Sequence, residues 1–455
     1  MSILTKKVSP KCLIIGLDGV PYALIQRYIS KGYLPNIKRI LGDSFHLHQM
    51  DASIPDVSSV SWTTFMTGVN PGEHGIYGFL DLHPNSYDIY FPNSNHIQAP
   101  AFWDILGKER IGKDSSLSRK FSETIQQPYR SIVLNVPQTY PARPIHGFLV
   151  AGFVALDLKK ATYPEAAYQY LQSIAYKIDV DADKAKDHKD LFFKELFRVL
   201  QKRRMAFHHF FDNEPWDIFV ATITETDRLN HFFFDSAVDP NHPYHKPFVS
   251  FYSEIDDVVG GLFDKFMDAT DGKGLLMILS DHGFTLLQQE VYLNNWLKEA
   301  GFLKLNEKRE LFDKIDYGTT AFALDPARIY INTEERYPRG TVRLLDKPSV
   351  IKDLKDALSA LKDPEGRTVI KEIYETKDTY HGPFSVMSPD LVCLAHDGFD
   401  LKSTLQKHHT FGRTHFTGMH NRHDAHCIMP EVMQTPSRLS IQDIAGIILY
   451  WFSQR

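Results

Sequence analysis

The chain has few cysteines and no long apolar run. Its 455 residues include three cysteines, Cys12, Cys393 and Cys427, which lie far apart and form no Cys-x-x-Cys pair. This pattern excludes a disulfide framework and a thiolate metal site, and it favours a reducing compartment. No stretch approaches the roughly eighteen apolar residues that span a bilayer, and residues 1–11 lack the apolar core of a signal peptide. We therefore expect a soluble, cytoplasmic protein without a membrane span.

The chain also lacks an excess of charge of either sign. It has 51 basic and 56 acidic residues, a formal net charge of -5, which gives no extended positive field to attract polymeric nucleic acid. Hydrophobic residues make up 43% of the chain and charged residues 24%, as in globular proteins that bury a substantial core. Neither disorder nor nonspecific binding of nucleic acid is therefore expected.

Compact apolar runs alternate with helical patterns along the chain. Each run is short and bounded by polar residues, which is typical of a parallel strand buried on both faces. The predicted core strands are residues 12–17, 131–136, 217–223, 274–279 and 390–394. Helical spacing covers residues 22–41, with an interruption at 32–35, and residues 163–177, 190–211 and 251–268. This order predicts an α/β fold with a mainly parallel sheet and helices on both faces.

Two regions depart from this alternation. Residues from about 82 to 129 are polar, and residues from about 304 to 380 mix charged helix with short strands such as 328–332. We interpret both as insertions into a single catalytic domain that spans residues 1–455. We expect them to cover one edge of the sheet as a cap or lid, where their side chains can contact a substrate.

Carboxylates follow three of the predicted strands. Asp18 comes directly after the first strand, Asp227 shortly after the strand at 217–223, and Asp281 just after the strand at 274–279. Ligands of open α/β sheets bind outside the carboxyl ends of the strands, so these residues should converge on one crevice. A single aspartate at such a position is usually a helix cap or turn residue. Three together would repel one another, however, and a bound cation is the usual solution.

Histidines in the same segments can complete a metal site. Asp227 and His231 are four residues apart, which places both on one face if a helix begins there, and His282 directly follows Asp281. Most of the 21 histidines are expected to be solvated or packed instead. The hydroxyl-rich segment 55–68 would by itself suggest a helix cap. A serine beside metal ligands and helix N-terminal amides, however, can attack phosphorus.

These motifs form an ordered set. They are the segments 16–19 (GLDG), 55–68 with 74–76 (HGI), 226–231 (TDRLNH), 280–283 (SDHG) and 418–420 (GMH). In this order the chain resembles the type I phosphodiesterase and nucleotide pyrophosphatase branch of the alkaline phosphatase superfamily, and more closely its cytoplasmic phosphohydrolase/phosphomutase relatives. The resemblance runs from residue 12 to about 430. It implies an alkaline phosphatase-like fold and a two-metal phosphate-ester hydrolase.

The resemblance also implies which residues hold the metals. One ion would be bound by Asp18, Asp281 and His282 together with the nucleophile. The other would be bound by Asp227, His231 and His420. His420 lies in a histidine-rich stretch, and the alternatives to it are His408, His409, His415, His423 and His426.

A serine nucleophile follows from the same resemblance. The family nucleophile lies ten residues before the glycine of a Thr-Gly pair, which is Gly68 here, and this identifies Ser58, with Ser59 as the alternative. Ser58 would also be a metal ligand, and its attack on phosphorus would form a phosphoserine. Asp, His and Ser ligands suit Zn²⁺, and the numerous oxygen ligands leave Mn²⁺ possible.

One position departs from the family pattern. Shortly after the His-Gly-Ile motif, nucleotide pyrophosphatases carry an asparagine, and this asparagine contacts a phosphoryl oxygen. The corresponding residues here are 77–79, which end in Phe79. The arginine that alkaline phosphatases use for the same oxygen has no evident counterpart, and a lysine or arginine of an insertion could supply it. Specificity for nucleotide diesters therefore does not follow from the resemblance.

The first hypothesis is a phosphodiesterase that resembles nucleotide pyrophosphatases and acts on a small phosphorylated substrate. A phosphomonoesterase or phosphomutase of the same superfamily would use the same residues and differ in its products. A sulfatase is set aside because none of the three cysteines lies in a Cys-x-Pro-x-Arg context. The alternative from another class is a catalytically inactive metalloprotein that binds a phosphorylated ligand, although such a protein would not need both a hydroxyl and a complete ligand set.

Overall fold

The computed structural model describes residues 10–42, 44–108, 113–182, 186, 188–431 and 436–455. Residues 1–9 of the N-terminal segment and residues 109–112 of the first predicted insertion lie outside this description. Among the described residues, no helix combines the length and the apolar character needed to cross a membrane.

The strands of the described residues fall into one large sheet and several small ones. In the first half of the chain they are β1 (Cys12–Leu17), β2 (Phe45–Asp51), β3 (Asp81–Leu82), β4 (Ile89–Tyr90), β5 (Ser131–Leu134), β6 (Gly147–Val150), β7 (Thr162–Tyr163) and β8 (Ile218–Ile223). In the second half they are β9 (Leu275–Leu279), β10 (Gly283–Leu286), β11 (Gln289–Tyr292), β12 (Ala321–Leu324), β13 (Arg328–Ile331), β14 (Ile370–Glu375), β15 (Leu391–Ala395), β16 (Phe399–Lys402), β17 (Phe411–Gly412), β18 (Gly418–Asn421), β19 (Ala425–Pro430) and β20 (Leu439–Ser440).

The large sheet has nine strands among the described residues, in the order β20-β2-β19-β9-β1-β8-β5-β6-β7. Its five middle strands, from β9 to β6, run parallel. β1, β8 and β9 are apolar and buried along their whole length, as expected for central parallel strands. Cys12 pairs with both Ile218 and Leu275, so the carboxyl ends of these three strands lie side by side.

Helices surround this sheet. Within the described ranges the α-helices are α1 (Tyr22–Ser30), α2 (Pro35–Ile40), α3 (Ser58–Thr67), α4 (Pro71–His74), α5 (Phe102–Gly107), α6 (Ser116–Phe121), α7 (Glu165–Ser173), α8 (Lys189–Asn213), α9 (Glu225–Val238), α10 (His245–Thr270), α11 (Leu293–Glu299), α12 (Lys347–Ser359), α13 (Thr376–Thr379) and α14 (Asp443–Ser453). Short 3₁₀ helices span Ser94–His96, Leu311–Lys314 and Ser385–Met387.

The helices pack in two groups that share the core of the large sheet. In the first group α10 contacts α2, α8 and α9, and in the second group α14 contacts α3, α5 and α6. α10 shows why, because it buries Phe248, Phe251, Ile255, Val259 and Leu262 at the three-to-four-residue spacing of one helix face. The predicted α/β fold with a mainly parallel central sheet is therefore confirmed.

A second hydrophobic core surrounds a smaller antiparallel sheet of order β12-β13-β15-β14. Most of this sheet comes from the predicted insertion at 304–380. The run predicted at 390–394 is a strand, β15, but it pairs antiparallel with β13 and β14 and does not join the parallel sheet. Its apolar residues fill this second core, and an apolar run alone does not distinguish the two environments.

The first predicted insertion contributes to the main core. Its helix α5 buries Phe102, Trp103 and Leu106 in the hydrophobic cluster of the large sheet. This segment therefore packs beside α3 and α14 through an apolar face, in addition to its polar surface.

Candidate active site

The carboxyl edge of the central sheet brings the predicted acidic residues together. Asp18 follows β1 directly, Asp227 lies in the first turn of α9 after β8, and Asp281 and His282 follow β9. Because β8, β1 and β9 are adjacent and parallel, these side chains emerge at neighbouring strand ends. They lie close together at this edge of the sheet.

Other segments deliver the remaining predicted residues. Ser58 is the first residue of α3, and His231 lies one turn after Asp227 in α9. His420 belongs to β18, which pairs with β10 so that His420 lies opposite Phe284. The structure thus brings all seven predicted site residues into one cluster.

Asp18, Asp281 and His282 form a first group with Ser58. Ser58 Oγ lies 3.1 Å from His282 Nε2 and 3.4 Å from Asp18 Oδ1. His282 Nε2 lies 3.4 Å from Asp281 Oδ2 and 3.8 Å from Asp18 Oδ1. All four side chains are buried.

Asp227, His231 and His420 form a second group. Asp227 Oδ1 lies 3.4 Å from the Nε2 atoms of both histidines, and these two nitrogens are 3.1 Å apart. The groups adjoin, because Asp18, Asp227 and His282 also offer ligand atoms that lie within 4.8 Å of one another.

The spacing of these donor atoms fits metal ions. Donors around a tetrahedral ion with bonds of about 2.0–2.1 Å lie about 3.3 Å apart, close to the spacing within each group. Asp281 Oδ2 and Asp227 Oδ1 are buried and have no hydrogen-bond partner among the described residues. Burying such oxygens is costly unless a cation contacts them. The donor set therefore fits divalent metal ions.

Backbone carbonyls orient two of the histidines. The carbonyl of Asp56 accepts a hydrogen bond from His420 Nδ1 at 2.8 Å, and that of Gly283 accepts one from His282 Nδ1 at 3.1 Å. In this tautomer the lone pair is on Nε2, the atom that each ring presents to the cluster. Metal-binding histidines are commonly held in this way.

Burial and neighbouring charges shift the pKa values of the first group. Burial and the charges of Asp281 and Asp227 raise the pKa of Asp18 well above its ordinary value. Burial and the charge of Asp227 raise the pKa of Asp281 to about 7. Burial and the positive charge of His420 lower the pKa of His282 to about 3. Bound cations would favour the ionised carboxylates and the neutral imidazole that serve as ligands.

Several residues that the sequence did not single out hold Asp18 in place. Trp62 Nε1 donates a hydrogen bond to Asp18 Oδ2 at 3.0 Å, and the Thr226 hydroxyl donates one to the Asp18 carbonyl at 2.6 Å. The Gly19 amide donates to Asp281 Oδ1 at 3.0 Å. Trp62 lies inside the motif at 55–68 and Thr226 inside the motif at 226–231. Their closeness in sequence to the predicted site residues is the signal that could have identified them.

The structure also separates the alternatives that the sequence left open. Ser59 is fully buried, and its Oγ has no partner among the described residues, whereas Ser58 Oγ faces Asp18 and His282. Among the histidines, His423 contacts Asp51 and His426 contacts the carbonyl of Val20, away from the second group. The remaining alternatives are exposed: His408, His409 and His415.

A cavity of about 430 Å³ opens beside the second group. Asp56, His231 and His420 line it on one side, and Phe79 and Phe416 contribute aromatic walls. Phe79 therefore gives the cavity an apolar surface.

Arg228 lines the same cavity, but it was not among the site residues that the sequence predicted. It directly follows Asp227, and its Nη1 lies 3.9 Å from Asp227 Oδ2. Its place inside the 226–231 motif was the signal that could have found it.

The sequence profile of the family described as type I phosphodiesterase / nucleotide pyrophosphatase matches residues 12–422. This match covers most of the chain and all seven predicted site residues. No curated protein sequence matches the chain.

Solved structures of low sequence identity share the fold. Phosphonoacetate hydrolase from Sinorhizobium meliloti 1021, in complex with phosphonoacetate, has a TM-score of 0.64 at 14% identity and covers 98% of this chain and 96% of its own. An inactive variant of murine ectonucleotide pyrophosphatase / phosphodiesterase 5, in complex with AMP, has a TM-score of 0.56 at 14% identity, with coverages of 97% and 95%. The human protein of that name has a TM-score of 0.55 at 13% identity, with coverages of 97% and 94%.

Proposed function

The chain belongs to the type I phosphodiesterase / nucleotide pyrophosphatase family of the alkaline phosphatase superfamily and is a phosphohydrolase of that type, and from this premise we propose that it hydrolyses a small phosphate ester with Ser58 as its nucleophile. The observation that carries the proposal is the position of Ser58 Oγ, 3.1 Å from His282 Nε2 and 3.4 Å from Asp18 Oδ1, at the start of a helix. A hydroxyl at this point can be activated by these neighbours, and it follows Asp56 and Val57, which line the adjacent cavity.

Two divalent metals complete the proposed site. Asp18, Asp281, His282 and Ser58 would hold one of them, and Asp227, His231 and His420 the other. Bound there, the metals supply Lewis-acid stabilisation of the charge that develops on phosphoryl and leaving-group oxygens. Zn²⁺ suits these nitrogen and oxygen ligands best, and Mn²⁺ is the alternative. We expect elemental analysis of the purified protein to find two such ions per chain.

The chain's own residues then perform the transfer. Ser58 Oγ forms a bond to phosphorus while the bond from phosphorus to the leaving oxygen breaks, which leaves a phosphoserine, and the Ser58 proton passes through solvent to the leaving alcohol. A water oxygen then forms a bond to phosphorus while the bond to Oγ breaks, and a proton of that water returns through solvent to Ser58. The amides of Ser58 and Ser59 precede the first intrahelical hydrogen bonds of α3, which begin at Val60, so they can donate to phosphoryl oxygens.

The adjacent cavity is the proposed place for the organic part of the ester. A volume of about 430 Å³ suits a small molecule. The ligands of the structural neighbours, phosphonoacetate and AMP, are small phosphorus compounds and support this size class. Asp325, Pro326, Ala327 and Lys371 contribute to the cavity wall, which supports the proposal that the insertion at 304–380 covers the crevice within a single catalytic domain.

We also propose that the protein works in the cytoplasm. All three cysteines are buried free thiols, as is usual in reducing compartments. Cell fractionation tests this directly, and recovery of the native protein outside the cytoplasm would contradict it.

The test of the nucleophile compares Ser58→Ala with Ser59→Ala in the metal-loaded protein. We expect Ser58→Ala to lose at least about 10³-fold in kcat without a change in unfolding, since the nucleophile is gone. Ser59→Ala is the matched control, because it removes a neighbouring buried hydroxyl that has no partner among the described residues, and it should retain turnover. Full activity in Ser58→Ala would refute the assignment.

The substrates for this test are an aryl phosphate diester and the matching monoester. Preference for the diester would place the enzyme with the phosphodiesterases despite Phe79. Preference for the monoester would favour a phosphatase or a phosphomutase, which product analysis with a second acceptor alcohol separates. No turnover of either by protein that carries both metals would favour a binding role.

A further inference from the structure

Arg228 holds a fixed orientation at the junction between the candidate metal site and the cavity. It lines the cavity together with Asp56, His231 and His420. It also lies within ion-pair range of the candidate metal ligand Asp227, with Arg228 Nη1 3.9 Å from Asp227 Oδ2. No part of the proposed mechanism yet uses it.

Two neighbours fix the guanidinium plane. Arg228 Nη2 donates a hydrogen bond to Asp179 Oδ2 at 2.7 Å, and Nε donates to Oδ1 at 3.3 Å and to Oδ2 at 3.2 Å. The guanidinium carbon lies 4.0 Å from the centre of the Phe153 ring. The side chain is only 17% exposed, so these contacts leave it little freedom.

One edge of the guanidinium is within ion-pair range of Asp227 but makes no hydrogen bond among the described residues. Within the part of the chain that the structure describes, Arg228 Nη1 makes no hydrogen bond, and it is not enclosed by protein. Its two N–H donors are therefore available to a molecule in the cavity. An arginine whose other donors are already occupied by a carboxylate loses little conformational entropy when this edge binds an anion.

The charge of the crevice explains why such a donor is needed. Asp18, Asp227 and Asp281 lie close together at the candidate metal site, so a phosphoryl group bound there is near three carboxylates as well as any bound metals. A guanidinium gives short, charge-assisted hydrogen bonds to phosphoryl oxygens. The non-bridging oxygens carry negative charge in the bound substrate and in the transition state, so a donor held beside them would stabilise both.

Resting on the proposed function, we propose that Arg228 Nη1 binds a non-bridging phosphoryl oxygen of the substrate, and that Asp179 and Phe153 are the positioning residues that hold the guanidinium for this contact. The proposal gives this chain a phosphate-binding arginine on α9, inside the ligand motif itself. It also favours substrates with a dianionic phosphoryl group, because they gain most from an additional cation.

The competing explanation is that Arg228 only anchors the segment around Asp179 to α9. Both explanations predict some loss of stability when the ion pair is broken. They differ in the affinity for inorganic phosphate, which a purely structural pair would not affect.

The experiment measures inorganic phosphate binding by calorimetry to metal-loaded Arg228→Gln, with metal content and circular dichroism recorded for every variant. We expect phosphate affinity to fall at least about tenfold while both metals remain bound. Arg339→Gln is the matched control. Arg339 also pairs with a carboxylate, Asp313, at 2.7 Å, and its guanidinium carbon lies 4.6 Å from the ring centre of Tyr87, a residue of the second core, and it does not line the cavity. Its phosphate affinity should equal that of the wild type.

Steady-state kinetics add a second readout. Arg228→Gln should lose more in kcat/KM for a phosphate monoester than for the matching diester, since the monoester carries the additional charge. Asp179→Asn, which retains the guanidinium but weakens its anchor, should show a smaller loss with the same monoester bias.

The outcomes separate this proposal from the proposed function. Phosphate affinity in Arg228→Gln equal to the wild type, with turnover by the wild type intact, overturns the role of Arg228 alone. Failure of the metal-loaded wild type either to bind phosphate or to turn over an ester overturns both proposals. If Arg228→Gln does not fold, Arg228→Lys is the test: it keeps the charge but not the fork, and wild-type affinity and selectivity in it would also overturn the proposal.

Discussion

Trp62 orients the carboxylate of Asp18, which lies at the end of β1 beside Ser58. Its indole N–H donates to Asp18 Oδ2 at 3.0 Å, while Asp18 Oδ1 faces Ser58. The side chain is fully buried, so the hydrogen bond is not exposed to competing water. A carboxylate ligand held by a second-layer donor keeps its other oxygen free for a metal.

Trp62→Phe tests this role. The substitution keeps an aromatic ring but removes the donor, so Asp18 gains rotational freedom. We expect metal affinity at the first group to fall by about 10- to 100-fold, as is typical when a ligand loses its hydrogen-bonded support. Titration of the metal-free protein with Zn²⁺ in a calorimeter measures the change.

Trp103→Phe is the control for the loss of ring volume. Trp103 is also buried, but its Nε1 has no hydrogen-bond partner among the described residues. Equal losses of metal affinity in the two variants would show that ring packing, and not the hydrogen bond to Asp18, governs the site.

Residues that follow strands were predictable, and residues brought in by distant pairing were not. Asp18 and Asp281 stand directly at the ends of apolar runs, so the rule for sheet edges was sufficient to place them. His420 depends on the pairing of β18 with β10, which no local pattern encodes, and it was identified only through the family resemblance. The partners of Arg228, which are Asp179 and Phe153, come from separate loops and were not predictable.

At the scale of elements, the start of α9 is fixed by a buried ion pair. Arg203 of α8 donates from Nε to both carboxylate oxygens of Glu225, each at 2.8 Å, and both side chains are fully buried. Arg203 also donates to the Tyr176 hydroxyl at 2.6 Å and to the Ile178 carbonyl at 2.5 Å. Because Glu225 opens the helix that carries Asp227, this network positions a candidate metal ligand.

We expect Arg203→Met to destabilise the fold by about 3–5 kcal/mol, because it leaves the Glu225 carboxylate buried without its partner. Urea denaturation followed by circular dichroism gives the free energy of unfolding. The double variant Arg203→Met with Glu225→Leu should recover part of the loss, since it removes the uncompensated charge.

The control is Arg39→Met on the surface. Arg39 pairs with Asp264 at 2.7 Å, but these side chains are 48% and 58% exposed, so the loss should stay below about 1 kcal/mol. If Arg203→Met were no more destabilising than Arg39→Met, the buried network would not fix α9.

The hydrophobic pattern of the sequence predicted the positions of elements that are buried on one face or on both faces. β1 was predicted with its observed bounds, and the helical pattern at 251–268 lies within α10. β2 was missed because its sequence, FHLHQMD, is largely polar. The strand is only partly buried, although it pairs with β19 near the other end of the chain. β15 was predicted as a strand but was placed in the wrong sheet, because a local pattern does not encode pairing between distant segments.

At the scale of the whole molecule, the candidate site connects segments that are far apart in sequence. Its residues come from the loops after β1 and β9, from α3 and α9, and from β18, so they span residues 18 to 420. Described residues of the second core, around β12 to β15, include none of the seven. Bound metals would therefore stabilise the central sheet and leave the second core comparatively unaffected.

Removal of the metals tests this connection. A ligand that binds only the native state adds stability of RT ln(1 + [L]/Kd), which is about 4 kcal/mol at a thousandfold excess over Kd. We expect a chelator to lower the Tm in scanning calorimetry, and readdition of Zn²⁺ to restore it. Hydrogen exchange should locate the effect, with protection lost at the carboxyl ends of β1, β8 and β9 before it is lost in β12 and β13.

The control for this experiment is Asp227→Asn with His231→Ala, which removes two ligands of the second group. Because this variant retains only the first group, the chelator should shift its Tm by roughly half as much as in the wild type.

Confirmed metal removal that left the Tm of the wild type unchanged would mean that the cluster is equally stable without cations. The mutual repulsion of Asp18 and Asp281 would then have to be relieved by protonation, and their raised pKa values, about 7 for Asp281, provide for that. In that case stability should fall as pH rises from about 4 through 7, because the folded state then binds more protons than the unfolded chain.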